Sequence, residues 1–479
     1  MGMEMRDFQK GAFCKLTKGQ SVLIIAPTGL GKTRAALEPL VRSQSESSLF
    51  SQRLIYVLPL RALARGVEDE CKDIGIQVVI HHGDEPESRF FSERAVITTI
   101  DQYLTAFAGT PLSWASHLSH AAAGAVLTSY SVFDEVHLLS PQKGLQLLFA
   151  MLDLRKRWGL LSCVMTATLP PSVIEFFQKG LVRIEASKED IEQRDGWRKV
   201  YLQLEGTLDN NKFVWQEKDE KSLAEFASEK WNTWESLGID GPQKVIVFVN
   251  TVDRAIRVYD ELKNLFQNQN TPEVILTHSR FKKDDRRVVE DKLSQFFGKN
   301  ANSKPAILVT TQVAEAGLNI SAPLVITELC PMDSLIQRAG RCQRFNADGS
   351  QELNGKIIVV KPIGDRWYIP YSDRVRLMKV SYNKKGKKRN ASEWLPAIEF
   401  TQIVLETEAA DQGLILDWYK EQELIKKALD RLYKTYLSGT TVVEFSNGDE
   451  PYNSLFMRHK SKKQVEEIEE EPESEMEDE

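Results

Sequence analysis

The stretch SVLIIAPTGLGKT, residues 21–33, decides how the rest of the chain is read. After Ser21 its next five residues are apolar and mostly β-prone, which predicts a buried strand. They run into Ala26-Pro-Thr-Gly-Leu-Gly-Lys-Thr33, a glycine-bearing turn followed by residues able to open a helix. Strand, turn and helix in that order are the context a phosphate-cradling loop requires. Gly29 and Gly31 let the backbone approach a polyphosphate with its N–H groups facing inward, and Thr28 and Leu30 complete the loop. Lys32 is placed for the β and γ phosphates, and Thr33 offers its hydroxyl to Mg²⁺. The cofactors implied are ATP and Mg²⁺. Ala26 stands where a first glycine is usual, at a position that only begins the turn.

Outward from this loop the first half alternates short β-rich runs with helical stretches, the pattern of parallel strands joined by right-handed crossovers. Strands are expected at 21–26, 53–59, 78–82, 96–99, 130–135 and 163–168. A polar stretch from Ala186 to Gly241 is expected to be poor in strands, with Leu223, Phe226, Trp231 and Trp234 at helical spacing for packing. The rhythm restarts with strands at 244–250, 273–279, 306–311, 324–329 and 356–360. Two similar α/β units with parallel sheets therefore follow one another, over residues 1–190 and 191–362. Residues 363–464 read as a small, mostly helical accessory region, and 465–479 as a disordered acidic tail.

Bulk properties agree with this division. A chain of 479 residues exceeds what one core organises. Apolar residues at 42% and charged residues at 27% fit an ordinary globular enzyme rather than a disordered or fibrous chain. No apolar run is long enough for a membrane span, and the opening residues MGMEMRDFQK lack a secretory signal, so a cytoplasmic protein is expected. The five cysteines form no close pair, as in a reducing compartment. Ten acidic residues lie between Val465 and Glu479, so the formal charge of −6 becomes +4 for the rest of the chain, which leaves room for a basic groove.

The strand ending at Phe133 delivers Asp134-Glu135-Val136-His137. Asp134 is expected to hold Mg²⁺ with Thr33, and Glu135 to orient and deprotonate the attacking water, the two functions that phosphoryl transfer to water requires. His137 either links this site to the turn Thr166-Ala167-Thr168 or caps local backbone. These features alone would also suit a kinase, a transporter ATPase or a GTPase. The second unit decides the matter with QRAGRCQR, residues 337–344, which sets Gln337, Arg341 and Arg344 on neighbouring helical turns. Arginines there can reach across a cleft to the transferring phosphoryl group, so that ATP joins the two units and hydrolysis releases them.

This series resembles the superfamily 2 helicases of DExH type. Arg6-Asp-Phe-Gln9 is similar to their adenine-sensing element, with Arg6 and Gln9 as nucleotide contacts, and Pro59-Leu-Arg-Ala-Leu63 to their first strand-binding motif. Thr99-Ile-Asp-Gln102, Thr166-Ala-Thr-Leu-Pro170, Thr277-His-Ser-Arg-Phe281 and Thr311-Gln-Val-Ala-Glu-Ala-Gly317, together with QRAGRCQR, resemble the CRISPR-associated signature helicase of type I interference. The resemblance covers roughly Arg6 to Pro362. It implies two tandem RecA-like domains and ATP-dependent 3′ to 5′ translocation on single-stranded DNA. It also implies recruitment by a guide-RNA, Cascade-like effector complex, and no membrane partner. The residues themselves suggest sequence-blind phosphate contacts near Arg61, Thr99, Ser279 and Thr310. Asp101, Arg280 and Gln312 join them as nucleic-acid candidates through the resemblance.

Two departures qualify it. Full-length relatives join this motor to a nuclease domain with a His-Asp dyad, whereas none of the seven histidines here precedes an aspartate. His81-His82 and His117-x-x-His120 lack the partners of a metal site. The expectation is therefore a stand-alone helicase subunit, with the HD-type nuclease on a separate polypeptide. Asn319 stands where many relatives have an aspartate near the ribose, and an amide still hydrogen-bonds a hydroxyl. The basic cluster Lys384 to Arg389 reads as a solvated loop or a contact for DNA or the guide complex. The alternatives are a general RNA or DNA helicase and an ATP-switched nucleic-acid clamp that unwinds nothing.

Overall fold

The computed structural model describes residues 5–45, 50–83, 85–88, 90–110, 119–139, 144–209, 212–267, 272–345, 352–364, 368–371, 374–382, 388–409 and 413–438. The basic residues Lys384 to Lys387 and the acidic tail lie outside them.

The first lobe is one sheet built from β1 (Val22–Ile25), β2 (Leu54–Leu58), β3 (Val79–His82), β4 (Glu85–Pro86), β5 (Ala95–Thr99), β6 (Tyr130–Phe133), β7 (Ser162–Thr166) and β8 (Val182–Glu185). Their order is β4-β3-β5-β2-β6-β7-β1-β8, all parallel except β4 against β3. Strands β1, β2, β5, β6 and β7 are buried along their whole length. Helices cover both faces, so the strands carry unbroken apolar runs rather than alternation, and this made them legible.

The second lobe contains β9 (Arg198–Leu204), a hairpin of β10 (Gly206–Asp209) and β11 (Lys212–Trp215), and the short β12 (Glu217–Lys218). It continues with β13 (Lys244–Phe248), β14 (Glu273–Thr277), β15 (Ala306–Thr310), β16 (Leu324–Glu328) and β17 (Leu353–Pro362). A second hairpin, β18 (Arg374–Tyr382) and β19 (Lys388–Pro396), precedes β20 (Leu414–Leu416). The sheet runs β14-β15-β13-β16-β17-β9-β20, with β12 beside β17, and only β20 is antiparallel.

The segment 186–241, expected to be strand-poor, thus holds four strands. In β9, Val200, Leu202 and Leu204 are buried while Lys199, before them, and Gln203, between the last two, are exposed. Its alternation of apolar and polar residues conceals it beside the fully buried strands. The helix Glu220–Asn232 that follows buries Leu223, Phe226 and Trp231. Trp234 packs 6.4 Å from Trp231, ring to ring.

Beyond β17 the accessory region has helices Ala397–Glu408 and Trp418–Ser438 as well as the β18–β19 hairpin. The longer helix lies across both lobes. Gln422 Nε2 donates to Ala167 O at 3.1 Å, Asp430 Oδ1 accepts from Ser172 N at 2.8 Å, and the same helix packs on Met332–Ala339 of the second lobe. No helix among the described residues is long and apolar enough to cross a membrane.

Candidate nucleotide site between the lobes

The connection from β1 into the helix Lys32–Ser45 forms the floor of a cleft of about 740 Å³. Thr28, Gly29, Leu30, Gly31, Lys32 and Thr33 line it from the first lobe, with Asp134 and Glu135 beside them. Gln337, Arg341 and Arg344 line it from the second, and Arg6 closes one side. Of the nucleotide candidates only Gln9 stands behind the wall. Its amide donates to Gly31 O at 3.0 Å and its Oε1 accepts from Arg6 N at 2.9 Å, so it braces the loop. Gly31 has φ +89, and a Cβ there would lie 2.8 Å from the Gln9 amide, which is why no other residue fits.

Lys32 is buried, its Nζ donating to Ala26 O at 3.1 Å and Pro27 O at 3.4 Å. Tyr56, from β2, donates to Asp134 Oδ2 at 2.6 Å, and Glu135 N donates to Oδ1 at 2.8 Å. Burial and the neighbouring Glu135 carboxylate raise Asp134 to about 7. Glu135 adopts a left-handed backbone, φ 48 and ψ 40, and its Oε2 is buried without a hydrogen-bond partner. A strained, non-glycine residue at a strand tip holds its side chain in a direction the relaxed chain would not choose. Two crowded carboxylates of this kind fit a divalent cation, whose charge would offset their repulsion.

The second lobe reaches this site by a geometric necessity. Strands β15 and β16 both run parallel to β13, so the chain between them must return from one end of the sheet to the other. That return, residues 311–323, runs along the cleft. Arg341 is clamped to it, donating to Glu315 O at 2.6 Å and Leu318 O at 2.7 Å, and Asn319 lies exposed on the cleft wall. Gly317, φ +85, sits so near the first lobe that a Cβ would lie 2.8 Å from Ala62 O. Burial and the neighbouring Arg198 lower the Arg344 guanidinium to about 10.

Several residues that the sequence motifs do not single out matter here. Arg338 is fully buried and donates to Glu315 at 2.7 Å, Thr327 Oγ1 at 2.8 Å, Asn250 Oδ1 at 3.1 Å and Tyr371 Oη at 3.1 Å. It sits in QRAGRCQR, yet its side chain faces the interior while Arg341 and Arg344 face the cleft. The helix ends at Ala339, so Arg341 and Arg344, expected on neighbouring helical turns, lie beyond it. Tyr56 and Tyr371 gave no signal in the sequence, being single aromatics in apolar or irregular surroundings.

The nucleic-acid candidates gather elsewhere, at the carboxyl ends of β2 and β5 in one lobe and of β14 and β15 in the other. Arg61, Asp101, Ser279 and Arg280 are exposed there, Arg280 paired with Asp253 at 2.5 Å. Thr99 and Thr310 are buried, and Gln312 donates to Asn250 O at 3.0 Å and Tyr371 Oη at 3.1 Å. Thr99 and Thr310 thus present little side chain at these ends, while the Gln312 amide is engaged by Asn250 and Tyr371. His117 lies outside the described residues, and among those described no three His, Cys, Asp or Glu side chains converge as a metal set.

Residues 6–176 match the family described as DEAD/DEAH box helicase, and 241–347 the family described as CRISPR-associated nuclease/helicase Cas3, C-terminal. The CRISPR-associated nuclease/helicase Cas3 of Methanothermobacter thermautotrophicus is 25% identical, over 89% of this chain and 47% of its own. The CRISPR-associated helicase Cas3 of Thermoproteus tenax is 24% identical, over 67% of this chain and 54% of its own. The chain thus spans about half the length of these curated relatives. The crystal structure of T. fusca Cas3-ATP superposes with a TM-score of 0.62 at 19% identity, covering 91% of this chain and 54% of that one.

Paired carboxylates beside a phosphate loop, faced by arginines from a second parallel-sheeted lobe, are the arrangement of tandem RecA-like domains, and residues 6–176 carry the DEAD/DEAH box helicase match. The Cas3-type, CRISPR-associated helicases are what the chain is similar to, in residues 241–347 and along the relatives named above.

Proposed function

We propose that this chain hydrolyses ATP to move 3′ to 5′ along single-stranded DNA in type I CRISPR interference, in the cytoplasm. Glu135 takes the proton of the attacking water, Lys32 holds the β and γ phosphates, and Arg341 and Arg344 neutralise charge on the transferring group. Thr33 and Asp134 would hold Mg²⁺, which draws charge from the phosphate oxygens. The backbone around Arg61, Thr99, Asp101, Ser279, Arg280, Thr310 and Gln312 grips the strand at the far ends of both sheets.

The observation that carries this reading is the contact of His137 with Gln337 across the cleft, because it ties the hydrolytic acids of one lobe to the helix that leads into Arg341 and Arg344 of the other. Recruitment by a Cascade-like guide-RNA complex is supported by likeness to a structure titled CRISPR RNA-guided surveillance complex, pre-nicking, with TM-score 0.59. DNA as the track is supported by likeness to the helicase MrfA bound to DNA, with TM-score 0.54. An HD-type nuclease subunit is the proposed partner that cuts the strand this motor exposes.

Strand displacement on duplexes with a single 3′ or 5′ DNA tail tests the proposal. Displacement only from the 3′ tail, requiring ATP and lost in Lys32→Ala, is expected. ATP hydrolysis without displacement would establish a clamp instead, and preference for RNA tails a general helicase.

A further inference from the structure

We infer that Arg198, from the segment joining the two lobes, is a further cleft arginine that contacts the polyphosphate of the bound nucleotide. The inference rests on the ATPase reading and adds a residue to its site. Arg198 opens β9, three residues after the helix Lys188–Asp195 ends. Its side chain lines the same cleft as Lys32, Arg341 and Arg344, yet the residue is only 8% exposed. One guanidinium nitrogen donates to Ala339 O at 2.8 Å, the carbonyl just before Gly340 and Arg341. The Nε is buried without any hydrogen-bond partner.

A buried guanidinium donor left unmet is costly, and native proteins rarely tolerate one unless a ligand answers it. The surroundings sharpen the demand. Arg194 and Arg344 crowd Arg198 with like charge, and no carboxylate among the described residues pairs with it at ion-pair distance; Glu421 and Asp195 act only from further off. An anion entering between these arginines would satisfy the free donor and relieve their repulsion together. In this cleft, with the phosphate loop opposite, that anion is the nucleotide polyphosphate. From its place in the junction, Arg198 lets the segment between the lobes register whether nucleotide is bound.

The competing role is a cap on the carbonyl end of the helix Met332–Ala339, which requires only the Ala339 contact. ATP and ADP titrations, steady-state kinetics and melting curves of the full chain separate the two, using Arg198→Gln, Arg198→Lys and Lys32→Ala. A charged hydrogen bond of ordinary strength predicts a rise in KM for ATP of roughly tenfold or more in Arg198→Gln. The melting temperature without nucleotide should stay close to that of the unsubstituted chain, and the ATP-induced rise should shrink. Arg198→Lys should fall between, and it decides the matter if Arg198→Gln does not fold. Unchanged KM in either variant, or a lowered melting temperature with unchanged KM, would reduce Arg198 to a helix cap. Failure of ATP to bind even the unsubstituted chain would overturn the ATPase reading itself.

Discussion

Gln337 Nε2 lies 2.5 Å from His137 Nε2 across the cleft, while His137 Nδ1 lies 3.2 Å from Thr166 Oγ1 and 3.4 Å from Glu135 Oε2. An amide N–H can only donate, so the imidazole Nε2 accepts and its proton sits on Nδ1, toward Thr166 and Glu135. A polar path then joins the turn after β7, with Glu135 Oε2 beside the ring at 3.4 Å, to the helix that leads into Arg341 and Arg344.

This path predicts coupling that single substitutions would misreport. In a cycle of His137→Ala, Gln337→Ala and the double variant, strand displacement should show an interaction energy of about 0.5–3 kcal/mol, as expected for contacting residues. Displacement should fall further than ATP hydrolysis in each single variant. Strict additivity in both assays would mean that the contact carries no coupling.

Acid should weaken the fold through the same ring. Burial lowers His137 to about 4, below its ordinary 6.5. Between those values the unfolded chain binds a proton that the folded chain refuses, so stability falls as pH drops from 6.5 to 4 and loses nothing more to this group below that. Asp134, raised to about 7, contributes with the opposite sign over this window, so the His137 share is read as the difference in slope between the unsubstituted chain and His137→Gln in denaturant melts. An unchanged slope in that variant would place the acid sensitivity elsewhere.

Much of this site is legible in sequence because its chemistry depends on local order. The phosphate loop must follow a buried strand, and Asp134 and Glu135 must end one. What escapes are relationships formed only by the return of the chain along the cleft. Gly317 reads as an ordinary motif glycine, yet its need comes from Ala62 in the other lobe. Arg338 and Arg341 look alike as letters, and only the interior partners Glu315, Thr327, Asn250 and Tyr371 separate them. Strand β9 escaped because its exposed residues are polar, and with it went Arg198.

Gly317→Ala tests the close approach. A Cβ would press on Ala62 O at 2.8 Å, and φ +85 adds backbone strain of about 1–3 kcal/mol. Gly75→Ala is a fitting comparison, since φ is +79 there and nothing lies within 4 Å of the added atom. Both variants should melt lower, but only Gly317→Ala should lose nucleic-acid-stimulated hydrolysis. Equal activity in the two would show that the lobes do not need this contact.

Arg338 and Glu315 form a buried pair at 2.7 Å, with side chains 0% and 5% exposed. Removing the cation alone, as in Arg338→Met, strands a buried carboxylate and should cost about 3–5 kcal/mol. Adding Glu315→Gln should restore part of that loss, measured by denaturant unfolding. If the double variant were no more stable than Arg338→Met, the cost would lie in the contacts with Asn250, Thr327 and Tyr371.

The most direct test of the central claim is ATP hydrolysis by the purified chain without nucleic acid, with single-stranded DNA and with single-stranded RNA, beside Glu135→Gln. Strong stimulation by DNA, falling roughly 10²–10⁴-fold in the variant as loss of a general base requires, is the predicted result. Preference for RNA, indifference to both, or full activity in Glu135→Gln would contradict it.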